Sequence, residues 1–226
     1  ATLVVRKGLE KAVRSDTGGT FFADFKEGIR TIGETEGVWT LIVVSTFLTF
    51  FIAFIQTLAA PMILVFADAK LLGIGETVSA MGMLVSSLFI GFVSIQGKYI
   101  RTLAASLFGA GIFMMGFGCR ENIFCIAIFG FLFFAMLPFA NMSLDCLVRK
   151  SIKNEKQGRV WGVIGVVSQS GYIAAYAVCG ILADCVFTPC LMPDGILADT
   201  VGRIIGTGSG RGTGFLIITA GFFVCI

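Results

Sequence analysis

The 226-residue chain is 56% hydrophobic and only 14% charged, with a mean hydropathy of +0.92. Soluble domains carry about one-quarter charged residues, so this composition excludes an ordinary water-soluble fold. The net charge of +3 is too small and too dispersed for nucleic acid, and the complete lack of His removes His-dependent zinc and haem sites, Ser-His-Asp and Cys-His nucleophiles and His proton relays. No enzymatic activity, cofactor or metal is expected.

In chain order, residues 1–20 read as a linker of mixed charge ending in the breaker cluster Ser15-Asp16-Thr17-Gly18-Gly19-Thr20. Residues 21–37 read as an amphipathic helix, with Phe22, Phe25, Ile29 and Ile32 on one face. Its place is along the cytoplasmic membrane interface, or alternatively packed on another domain.

Residues 38–226 read as six membrane spans. No charged residue occurs between Glu36 and Asp68, Glu76 and Lys98, Arg101 and Arg120, Glu121 and Asp145, or Arg159 and Asp184. Each gap is long enough for a hydrocarbon core of about 30 Å at ~1.5 Å per residue. A sixth apolar run follows Arg211 and is still apolar at Ile226. It falls short of the ~20 residues a span needs, so the last helix is expected to be truncated.

The first span carries the small and polar stripe Thr46, Thr49, Ala53, Gln56, Ala60, and Pro61 at its outer end. The second carries Ser79, Gly82, Ser86, Ser87, Gly91 and Ser94. The third is apolar almost all round and is expected at the lipid-facing periphery, with Phe108, Ile112 and Met115 outward. In the fourth, Phe134, Pro138, Asn141 and Asp145 share a face; in the fifth, Gly165, Gln169, Tyr172, Tyr176 and Gly180 do. A long outer loop, Cys185 to Arg211, is expected next, with a short interfacial helix over 196–205 and a disulfide open to Cys185 and Cys190.

If each run crosses once, residues 1–37, the Lys98–Arg101 turn and the Leu147–Arg159 loop share one side and hold thirteen of the seventeen Lys and Arg. The positive-inside bias makes that side cytoplasmic.

Two constellations stand out. Gln56, Thr49, Ser86, Asn141, Gln169, Tyr172 and Tyr176 suit a polar-aromatic cavity for an amphiphilic solute, although the same side chains suit interhelical hydrogen bonding without a ligand. Asp145 is read as the only carboxylate within reach of a span core, with Arg149 one turn on at ion-pair spacing. Together with Arg159, Lys98 and Arg101 it forms either a cytoplasmic gate or plain topology charge.

The run Asn154-Glu155-Lys156-Gln157-Gly158-Arg159-Val160-Trp161-Gly162, with Gly180-Ile181-Leu182-Ala183-Asp184 closing the following span, resembles the connection between helices ten and eleven of major facilitator superfamily transporters. It is most similar to their bacterial macrolide and multidrug efflux branch. Asp24-Phe25-Lys26-Glu27-Gly28-Ile29 is similar to the lead-in to helix seven there, and Gly97-Lys98-Tyr99-Ile100-Arg101 resembles the basic turn between helices eight and nine. The resemblance implies the C-terminal six-helix half of a twelve-helix secondary transporter in the bacterial inner membrane. Its partners would be the bilayer, an N-terminal six-helix half and a small-molecule substrate, with helices seven, eight, ten and eleven lining the cavity. The most diagnostic efflux signatures belong to the other half, and no embedded acid near the midplane is expected here for proton coupling. The competing classes are the membrane domain of an ATP-driven exporter, which the few-residue Lys98–Arg101 turn argues against, and a non-transporting membrane scaffold.

Overall fold

The computed structural model describes residues 21–92, 97–193 and 195–225, so the linker 1–20 and Ser94 lie outside the described residues. Their regular structure is all helical, with no strand among the described residues. Helix α1 (Phe21–Glu34) is followed by α2 (Val38–Leu64), α3 (Ala69–Phe92), α4 (Tyr99–Cys119), α5 (Ile123–Ser151) and α6 (Asn154–Leu182). The one-turn α7 (Gly202–Ile205) precedes α8 (Ser209–Cys225). Five of these, α2 to α6, are long and apolar enough to cross a membrane, and α8 is shorter. A multi-pass membrane bundle follows from that length and composition, because a backbone in hydrocarbon must satisfy its hydrogen bonds within the helix.

Several helix starts have a local cause. Gly37 takes φ +83°, a left-handed turn that a side chain would strain, and so reverses the chain between α1 and α2. Asp68 accepts the Leu71 amide at 2.9 Å and Asn122 accepts the Phe124 amide at 2.9 Å, capping α3 and α5. The Gln157 side-chain amide closes the α5–α6 turn, donating to the carbonyls of Arg149 and Ile152. On α1, the exposed Glu34 carboxyl is held below its usual range by the Arg30 guanidinium, whose Nε donates to it at 2.8 Å.

The spans pack in the spatial order α3–α5–α4–α8–α2–α6, with α2 also touching α5 and α3 across the front. Exchanging α2, α3 and α4 for α5, α6 and α8 leaves the order of neighbours unchanged, although the α2–α3 contact has no equal between α5 and α6. The pair α2–α6 becomes α5–α3, α4–α5 becomes α8–α2, and α4–α8 and α2–α5 map onto themselves.

Small residues set how closely the pairs approach. A Cβ on Gly82 of α3 would meet the Phe131 backbone of α5, with its carbonyl carbon at 2.9 Å. A Cβ on Gly171 of α6 would lie 2.7 Å from the Thr46 carbonyl oxygen of α2. One core cluster centres on α2, α4, α5 and α8 and includes Phe54, Ile55, Met114, Phe133 and Ile217. A second, at the α1 end, gathers Ile32, Val38, Ile42, Ile152, Val160 and Val163.

Several expectations are corrected. Helix α3 starts at Ala69, because Asp68 caps it, so Glu76 lies inside the helix rather than before it. Helix α6 does not end at Ala183 or Asp184: a π-helical turn (Ala183–Phe187) and an α-turn (Thr188–Cys190) carry it on to Cys190. Cys185 and Cys190 therefore sit five residues apart along one helical stretch, and both are free thiols. Beyond it, the expected helix over 196–205 is reduced to the single turn of α7. The inward face of α1 uses Gly28, Thr31 and Ile32, whereas Ile29 is exposed, because the close approach to α6 at Gly28 selects small side chains. On α4, Phe108 and Ile112 are exposed but Met115 is half-buried beside Gly221 of α8.

Candidate functional site

The seam between α2 and α6 fixes where their polar stripes point. Ile164, Ser168, Gly171, Ala175 and Cys179 are buried along α6, and the hydroxyls of Ser168 and Ser45 share a hydrogen bond of 2.9 Å across the seam. On one edge of that seam, Val167, Ser170 and Ala174 border an apolar groove with Trp39, Val43 and Phe47. Gln169, Tyr172 and Tyr176 lie on the other edge, about a quarter-turn round from the buried row at ~100° per residue. Gln169 and Tyr176 are exposed, Tyr172 is half-buried, and the two tyrosine rings lie 6.0 Å apart.

Thr49 and Gln56 of α2 fall on the same side as that tyrosine edge. Thr49 is half-buried, with its hydroxyl donating to the Ser45 carbonyl, and Gln56 is exposed. Gln56 also borders a cleft of about 340 Å³ between α2, α3 and α5, lined further by Glu76, Ser79, Ala80, Phe117 and Phe134.

Ser86 is placed elsewhere. It is 5% exposed, buried on the face of α3 that carries Ser79 and Gly82, and its hydroxyl donates to the Met83 carbonyl. The Ser and Gly residues of α3 thus divide into a packing row (Gly75, Ser79, Gly82, Ser86) and exposed positions such as Ser87 and Gly91. Asn141 of α5 is exposed.

The expected gate charges separate into three places. Asp145 and Arg149 border a groove of about 440 Å³ between α3 and α5, with Ser87, Pro138 and Met142. The expected ion pair between them is not made among the described residues; both side chains are exposed, where a single pair gains little. Lys98 and Arg101 are exposed at the start of α4, and Lys150 at the end of α5 sits 4.5 Å above the Tyr99 ring, joining the two ends.

Arg159 is not with them. Its guanidinium binds Asp24 at 2.9 Å and Glu27 at 3.1 Å and ties α6 to α1. At the opposite end of the bundle, Arg211 is 6% exposed and donates to Glu121 at 2.7 Å and to the Cys119 carbonyl at 3.3 Å, pinning α8 to the α4–α5 turn.

Sequence reasoning missed Glu76. The charge-free gap begins after it in the sequence, which leaves Asp145 as the only carboxylate near a span core on that reading. The available signal was Asp68, a helix cap eight residues earlier. Among the described residues there is no cluster of three or more metal-ligating side chains. Compared with protein-family models, curated proteins and solved structures, the chain has no match.

Proposed function

We propose that this chain is a six-helix half of a secondary active transporter, exporting amphiphilic small molecules by alternating access across the bacterial inner membrane, with α1 on the cytoplasmic side. The observation that supports this most is the exchange symmetry of the helix neighbours. Two three-helix units, α2–α3–α4 and α5–α6–α8, have the same order of helix neighbours, the smaller α2–α3 contact aside. That is the plan of inverted repeats nested in each half of major facilitator transporters, where substrate binds near the bilayer midplane. The side-chain chemistry agrees: the exposed edge of the α2–α6 pair carries Gln56, Gln169, Tyr172 and Tyr176, which offer amide hydrogen bonds and aromatic surface to an amphiphile.

Transport would then require a second six-helix bundle facing that edge. The test is movement of a macrolide into everted vesicles holding the intact protein. Accumulation that follows an ion gradient and collapses with an uncoupler supports the proposal. Accumulation that needs ATP after the gradient is collapsed transfers the chain to the ATP-driven exporters, and no movement transfers it to the scaffolds.

A further inference from the structure

We infer that the joined ends of α4 and α5 form a binding site for one anionic phospholipid, with Lys98, Arg101 and Lys150 around the headgroup phosphate and the outward stripe of α4 under an acyl chain. The inference stands on the membrane bundle alone and not on the transporter proposal.

The two helix ends are one surface, because Lys150 of α5 holds its ammonium 4.5 Å above the Tyr99 ring of α4. Residues 97–101 and 145–153 together carry Lys98, Arg101, Arg149, Lys150 and Lys153 against the single carboxylate of Asp145. All five cations are exposed, and none makes an ion pair among the described residues. Asp145 borders the groove that α5 forms with α3, whereas Lys150 leans towards α4. The positive charge on the α4 side is therefore left to a ligand from outside the chain. Tyr99, half-buried beside it, is the kind of side chain that sits at the level of lipid headgroups.

The apolar part follows from helical periodicity. Leu103, Ser106 and Ala110 are buried on the inward face of α4. Arg101, Ala104, Ala105, Phe108 and Ile112 recur at i, i+3, i+4, i+7 and i+11 on the outward face, and all five are exposed. The two alanines stand between the exposed side chains of Ile100 and Phe108 and leave room for a chain against the helix. Arg101 to Ile112 is about 16 Å at ~1.5 Å per residue, close to the ~15 Å depth of one leaflet. A lipid with its phosphate on Arg101 and Lys98 thus lays its acyl chain over Phe108 and Ile112 before the midplane. A zwitterionic lipid meets the same stripe, but its net charge of zero leaves the cations unneutralised. Each Lys or Arg near an anionic headgroup favours it by about fivefold, so two or three of them select strongly.

The test is native mass spectrometry of the full chain in detergent, offered dioleoyl phosphatidylglycerol and dioleoyl phosphatidylcholine in equal amounts. The first lipid bound is expected to be phosphatidylglycerol by about tenfold or more. Lys98→Gln, Arg101→Gln and Lys150→Gln together should lower that ratio to about threefold or less. Lys70→Gln, Arg120→Gln and Arg203→Gln, an equal loss of charge outside the patch, should leave it unchanged. On the unaltered chain, phosphatidylglycerol with a diazirine in its acyl chain should label residues 104–112 above the rest of the bundle, which requires no variant to fold. A ratio near one, an equal fall in both triple variants, or labelling without enrichment on α4 overturns the assignment. Phosphatidylethanolamine bound as well as phosphatidylglycerol would show that net negative charge is not what is recognised. Displacement of the lipid by glycerol phosphate at equal concentration would make the occupant a soluble phosphate and equally overturn it.

Discussion

Replacing Arg159 with Gln should loosen α1 from the bundle by a modest, salt-sensitive amount, whereas Gly28→Leu should displace it more strongly and without regard to salt. The difference follows from two kinds of contact at one junction. Arg159 holds Asp24 at 2.9 Å and Glu27 at 3.1 Å, but the three side chains are 38%, 39% and 45% exposed. Pairs in that setting contribute about 0.2–1 kcal/mol each, so losing both costs about 1 kcal/mol, roughly fivefold in the docking equilibrium. Raising salt from ~0.1 M to ~1 M shortens the screening length from about 10 Å to about 3 Å and should erase most of that difference.

Gly28 acts through volume. A Cβ there would lie 2.7 Å from a Val163 methyl and 2.9 Å from the Arg159 carbonyl oxygen, so a larger side chain must push α1 off α6. Overpacking of this kind costs about 1–3 kcal/mol at any ionic strength. Amide hydrogen exchange of residues 21–34 in nanodiscs reads both effects. Exchange that rises more in Arg159→Gln than in Gly28→Leu, or a salt-independent Arg159→Gln effect, would refute the division.

Other outcomes follow from single contacts. Arg211→Met should lower the unfolding midpoint in detergent by the loss of about 1.5–3 kcal/mol of charge-assisted hydrogen bonding, and adding Glu121→Gln should cost less than the sum of the two single changes. Gly82→Ala should destabilise the α3–α5 pair by about 1–3 kcal/mol in the same assay, while Gly73→Ala, with nothing within 4 Å of the added carbon, should not. Ser143→Ala should be neutral or stabilising, because the buried Ser143 hydroxyl has no hydrogen-bond partner among the described residues. In the intact protein, Tyr172→Ala should shift affinity for individual exported compounds by about 1–3 kcal/mol with expression unchanged, and Ile112→Ala should leave the export profile as it was.

The long spans were legible because the signal is coarse: a run of apolar residues without charge is hard to bury in any way but as a membrane helix. The same criterion misplaced the start of α3, since it treats Glu76 as a boundary when a helix capped by Asp68 carries that carboxylate at an exposed position beside a cleft. Small polar residues were ambiguous for a related reason. Ser86 and Gln56 both interrupt an apolar helix, yet Ser86 is small enough to be buried on its own backbone while Gln56 is not. The partners of Arg159 were hidden by distance along the chain: Asp24 is 135 residues away, and nothing in the local spacing near Arg159 points to it. On α1, periodicity selected Ile29 as inward, but the approach of α6 at Gly28 rotated the helix so that its buried row is Gly28, Thr31 and Ile32. The continuation of α6 to Cys190 is not legible in the sequence because Asp184 reads as the span's outer boundary, whereas the helix runs through it by a π-helical turn.

Water accessibility along the α2–α6 edge tests the central claim most directly. In a cysteine-free background of the intact protein, single cysteines are placed at Gln56, Gln169 and Ile112 and exposed to a membrane-impermeant thiol reagent from each side in turn. The account predicts reaction at Gln56→Cys and Gln169→Cys, slowed by an exported compound, and silence at Ile112→Cys, which lies on the outer face of α4. Silence at Gln169→Cys from both sides, with the protein folded and inserted, would place that edge against lipid and contradict the account.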